Sequence, residues 1–118
     1  MNQKEAVTVY QLSERSKSEL IAAAQVVTTL IDYKGQEKAG AKRVGVSFLE
    51  LFRSNLQLAN NISKDTNFSK AGSVVSEAIS AIESEEYEQA SAKIAEAISL
   101  ATTPAQESWA FLKDNGYL

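Results

Sequence analysis

Residues 44–62 read VGVSFLELFRSNLQLANNI, and the placement of that stretch decides the fold. Val44, Phe48, Leu51, Leu58 and Ile62 recur at helical spacing on one stripe, with Asn55 among them, and Leu49, Phe52, Leu56 and Ala59 form an adjoining stripe. Two apolar stripes on one helix require two packing partners. The segment is therefore expected to be the spine of a helical bundle, each large side chain contributing about 1.5–3 kcal/mol on burial. On this reading Leu51→Asp buries a charge without a partner and unfolds the domain.

Upstream of the spine, residues 4–12 (KEAVTVYQL) alternate Val7 and Val9 with Thr8 and Tyr10, which suits a short strand as well as a loose helical start. Nothing else in the chain alternates to pair with a strand, so residues 1–12 are expected to be helical or a loosely ordered arm. Ser16-Lys17-Ser18-Glu19 has the form of a capping box, although the helix can also run through these serines from about Thr8. Leu20, Ala23, Ala24, Val27, Leu30 and Ile31 then make one apolar stripe, and Gly35 is placed to end the helix near Lys34. The spine helix starts at Gln36 to Lys38; Gly40 and Gly45 in its first turns either permit close packing or mark a bend.

Downstream, Asn60, Asn61, Ser63, Asp65 and Asn67 form a polar reversal. From Phe68 to Thr102 the pattern is a helical hairpin: Val74, Val75, Ala78, Ile79 and Ile82, an acidic break at residues 84–88, then Ala90, Ile94, Ala97, Ile98 and Leu100. Thr103, Pro104 and Gln106 carry the marks of a new helix start, and Asn115-Gly116 of its end, so a short C-terminal helix of about ten residues is expected to dock through Trp109.

Composition bounds the function. A chain of 118 residues with 44% hydrophobic and 23% charged residues suits one globular domain spanning 1–118. No apolar run approaches the roughly 20 residues that span a bilayer, and the N-terminus has no signal-peptide core, so a cytoplasmic protein without membrane contact is expected. With no cysteine and no histidine, disulfides, Cys/His metal sites, thiol nucleophiles and Ser-His-Asp triads are excluded. Carboxylates remain, and Glu83, Glu85, Glu86 and Glu88 are the richest group, but successive helical residues diverge, which favours a solvated turn over a Mg²⁺ site.

Charge is uneven along the chain. Residues 1–64 hold nine Lys/Arg and six Asp/Glu, a balance of +3; residues 65–118 hold three and nine, a balance of −6; together these give the formal −3. Opposite halves can pack within one molecule, pair head to tail between copies, or meet a basic partner. Lys34, Lys38 and Lys42, four residues apart, and Arg43 beside them form a ridge able to track phosphates. At the C-terminus Trp109, Phe111, Tyr117 and Leu118 are candidates for a partner-binding aromatic patch. Asn55 on the apolar stripe either hydrogen-bonds within the core or fixes register and oligomeric state.

Two local resemblances follow from these residues. Tyr87, Ala90, Ile94 and Ala97 resemble the second helix of a tetratricopeptide repeat, which implies helical-hairpin geometry; Val74 and Glu77 depart from the pattern of the first helix, and there is no second copy. Ala41 to Ser47 with Leu51 resembles the turn of a helix-turn-helix, but Phe48, Leu49, Glu50, Leu51 and Phe52 stand where that family places polar groove-reading residues.

The expected fold is all-α, an up-and-down bundle of four main helices plus a short C-terminal helix. The expected function is a non-enzymatic protein–protein interaction or adaptor role without a cofactor, its partner a protein or a second copy in a homodimer that buries part of the second stripe, Leu49, Phe52, Leu56 and Ala59. The alternative is a small nucleic-acid-binding regulator using the ridge at Lys38 and Lys42.

Overall fold

The first helix begins at the chain's start, because Asn2 caps it. The Asn2 side-chain oxygen accepts from the Glu5 N–H at 2.8 Å, and the Glu5 carboxylate accepts from the Asn2 N–H at 3.0 Å, which together satisfy two otherwise orphaned amides. The computed structural model describes residues 1–118 as four helices without a strand: α1 Gln3–Leu30, α2 Gln36–Ser63, α3 Thr66–Glu83 and α4 Tyr87–Asp114. Residues 3–12 are thus helical, and Ser16 lies buried inside α1 rather than capping it. Gly35 does hold a positive φ of 65°, but as the residue that opens α2; α1 has already ended at Leu30.

The next reversals are short. Lys64 adopts the left-handed conformation after α2, and Asp65 caps α3 by accepting from the Asn67 N–H at 2.9 Å. Short connections leave successive helices antiparallel, and α1 touches α2 and α4 while α3 touches the same two from the opposite side. At their centre Leu20, Val27, Leu49, Leu56, Phe68, Ile82 and Ile94 form one closed core.

The helices are unequal, and this shapes the molecule. At 1.5 Å per residue, the 18-residue α3 is about 27 Å long, whereas the 28-residue α1, α2 and α4 are each about 42 Å. The overall extents of 57 × 21 × 17 Å exceed any single helix, so the helices are staggered. The buried Ala6, Val9 and Ser13 of α1 and Ala105, Ser108 and Leu112 of α4 lie outside the main core and make a separate seam, a two-helix arm.

That arm corrects the expectation of a fifth helix. Thr103 and Pro104 start nothing: α4 continues from Tyr87 to Asp114 with Pro104 inside it. A proline within a helix removes one N–H and crowds the carbonyl four residues back. Ser13 of α1 repairs the opened ladder, its hydroxyl donating to the Ala101 carbonyl while accepting from the Ala105 N–H at 3.0 Å. A partner helix supplies the bond the proline disrupts, so a local start signal is overridden by a contact from 90 residues away in sequence. The arm docks through Ala105, Ser108 and Leu112; Trp109, expected to anchor it, is 45% exposed.

α2 is also continuous, which removes the turn that a helix-turn-helix would need at Gly45. Gly45 is there for close approach: a Cβ would lie 2.8 Å from Leu30 Cδ1. Gly40, by contrast, faces open space. Gly40→Ala is expected to stabilise the domain by about 0.5–1 kcal/mol through helix propensity, read as a raised denaturant midpoint with unchanged slope. An unchanged midpoint would mean the helix is frayed there.

Of the two stripes on α2, only the second is enclosed. Leu49, Leu56 and Ala59 are buried and Phe52 partly so, whereas Val44, Phe48, Leu51, Leu58 and Ile62 are all about half exposed, Leu51 at 53%. The helix is a corner of the bundle, with neighbours α1 and α3, and two neighbours cover less arc than the two stripes occupy. The expectation that Leu51→Asp unfolds the domain is therefore withdrawn.

Candidate interaction face

The exposed stripe runs along α2 for most of its length. Its members are spaced 4, 3, 4, 3 and 4 residues apart if Asn55 is counted, a repeat of 3.5 that holds all six on one seam. Roughly half of each of five large side chains is open to solvent, on the order of 500 Å² of apolar surface in one patch, within the range where the largest patch of a monomer is commonly functional. Phe48 leans on Phe52 with ring centroids 6.3 Å apart and planes tilted by 31°, so the exposed ring is buttressed by a partly buried one.

Beside the stripe lies a groove of about 630 Å³ between α1 and α2, with Tyr33, Val44 and Phe48 among its apolar lining and Ala22, Gln25 and Thr29 contributed by α1. Small and polar residues at these α1 positions leave the groove open, while Gly45 lets the backbone of α2 settle against Leu30. Further along, Asn55 donates to the Glu19 carboxylate at 2.9 Å, and Glu19 also accepts from Arg15 at 3.1 Å. The Asn55 side-chain oxygen accepts no hydrogen bond within the chain.

The basic ridge is placed differently. Lys38 and Lys42 reach the α3–α4 turn, where Glu85 accepts from them at 2.8 and 3.4 Å, and Lys42 also donates to the Glu83 carbonyl at 3.3 Å. Two basic residues of the first half thus meet an acid of the second within one molecule. The hydrogen bond from Lys38 holds the Glu85 carboxyl below its ordinary pKa, and the same bond raises Lys38. The Glu85 contribution is thus present above the ordinary carboxylate range and lost as pH falls through the depressed value; at so exposed a pair it is small. Lys34 and Arg43 make no ion pair.

Glu85 is committed to those lysines, and no three carboxylates anywhere in the chain come together to hold a cation. The C-terminal aromatic residues lie on and beyond the end of α4. Lys113 stands over the Trp109 ring at 5.2 Å, Phe111 is partly buried, and Tyr117 and Leu118 follow the helix as exposed residues. The longest row of exposed large apolar residues on one helix is the α2 stripe, which sequence reasoning assigned to the core. Its 3.5-residue spacing is shared by the enclosed stripe Leu49, Phe52, Leu56 and Ala59, so spacing alone did not separate the two.

The fold defines the chain as an antiparallel four-helix bundle, and no helix in it is long and apolar enough to cross a membrane. No protein-family model, no curated protein and no solved structure matches it.

Proposed function

We propose that the chain is a non-enzymatic protein-interaction module whose working surface is the exposed stripe of α2, Val44 to Ile62. The observation that carries this reading is a continuous apolar face about half open to water along a helix whose other apolar stripe is enclosed. Exposed side chains such as these cost nothing to folding when removed, yet an assembled partner gains the whole patch. The aromatic residues at the end of α4, Trp109 and Phe111, offer a second and smaller contact. A basic ridge for nucleic acid has less to support it, since Glu85 already occupies Lys38 and Lys42.

The test compares the wild-type chain with a Phe48→Asp, Leu58→Asp double variant in native extract, scoring both untagged copies of the chain and other proteins retained. The variant is expected to keep its helical circular dichroism and lose the retained species. Identical retention by both forms removes the face from the function.

A further inference from the structure

The geometry points to a second copy of this chain as the occupant of the α2 face, joined in parallel through a two-stranded seam of Val44, Phe48, Leu51, Asn55, Leu58 and Ile62. This inference rests on the interaction reading above and names its partner. Four observations carry it.

First, the face keeps the heptad spacing that a two-helix seam needs, as the enclosed stripe beside it does toward its neighbours in the bundle. With Val44, Leu51 and Leu58 at the d positions of a heptad, Phe48, Asn55 and Ile62 fall at a, so each helix of a pair offers leucine or valine at every d position and a bulky apolar group or asparagine at every a. Second, a single asparagine at an a position suits only a like partner. In a parallel pair Asn55 meets Asn55, where the second amide hydrogen and the unused side-chain oxygen of each residue can bond across the seam while the Glu19 contact is kept.

Third, the outer border of the seam carries no net charge. Arg43, Ser47, Glu50, Ser54, Gln57 and Asn61 follow the stripe on its outer side, and their one positive and one negative charge cancel. Fourth, the area suffices. The five apolar side chains expose on the order of 500 Å², so a pair buries on the order of 1,000 Å² in total, the lower bound of a specific interface, to which the Tyr33 rim of the groove adds. The groove is where the neighbouring copy's α2 lies, against Ala22 and Gln25.

The chain contains no cysteine, so single introduced thiols report the pairing cleanly. Sedimentation equilibrium of the wild type across its soluble concentration range is expected to give twice the chain mass, and Leu51→Asp with Leu58→Asp is expected to shift it to the chain mass while the helical signal is retained. Val44→Cys and Ile62→Cys, each alone, are expected to oxidise to self-linked dimers, since a parallel seam sets each position against itself at both ends. Asn55→Leu is expected to raise the dimer's affinity and admit species above the dimer.

A wild-type chain that stays at the chain mass overturns the inference. If the face variants nevertheless lose another retained protein, the interaction reading stands and only the second copy falls. A dimer that cross-links only when Val44→Cys and Ile62→Cys chains are mixed is antiparallel, and overturns the parallel register and the Asn55 pair.

Discussion

Leu49→Asp is expected to abolish cooperative folding, whereas Leu51→Asp, two residues along the same helix, is expected to melt much like the wild type. Leu49 is fully enclosed in the core and Leu51 is more than half open, so one substitution strands a carboxylate in the core and the other sets it in water. An unpaired charge in that core costs more than about 4 kcal/mol, a large share of the 5–15 kcal/mol that holds a domain of this kind folded. An exposed substitution stays within about 0.5 kcal/mol. Thermal melts followed by circular dichroism on dilute samples decide the matter, because any self-association adds stability that depends on concentration. A Leu51→Asp chain that fails to fold would return the stripe to the core and remove the interaction face with it.

The second large effect belongs to Ser13. Its hydroxyl links the Ala101 carbonyl and the Ala105 N–H beside Pro104, and all three residues are buried. Ser13→Ala leaves a donor and an acceptor without partners in a dry seam, at about 1–3 kcal/mol for each such group. The expected loss is about 2–4 kcal/mol, a fall in melting midpoint of roughly 10 °C. The cause can be isolated with a second substitution. In Pro104→Ala the helix regains its missing N–H and can close the Ala105 to Ala101 bond by itself, so Ser13→Ala in that background should cost under about 1 kcal/mol. Equal costs in the two backgrounds would show that Ser13 contributes by packing and not by mending the helix.

Much of the architecture is legible in the residues, and the misses share a cause. The reversal at Lys64-Asp65 is written locally, in a capping side chain whose partner lies two positions away. The apolar stripe of α3 is legible in its spacing, whereas the acidic break read at residues 84–88 runs past the actual start of α4 at Tyr87, where no side chain caps the helix. Ser16 and Thr103 carry equally good local start signals and begin nothing, because the helices they lie in are held by a neighbour: Ser16 is buried within α1, and the turn of α4 beside Thr103 is bridged by Ser13. A local capping preference is worth about 1 kcal/mol, less than the burial of several side chains along a 28-residue helix.

The candidate site shows the same division more sharply. The residues of the face were plain in the spacing of Val44 to Ile62, but whether they lie inside or outside was not, since a hydrophobic stripe reads the same whether its partner is another helix of the chain or a separate molecule. By itself the sequence determined the helical class, the reversal at Lys64-Asp65 and the absence of histidine and cysteine chemistry, all of which depend on residue type and short-range spacing. Only the tertiary structure decided which stripe of α2 faces α1 and α3, that Lys38 and Lys42 meet Glu85, and that α4 runs unbroken through Pro104. Those outcomes depend on which elements become neighbours, and contacts between residues tens of positions apart leave no periodic trace in either one.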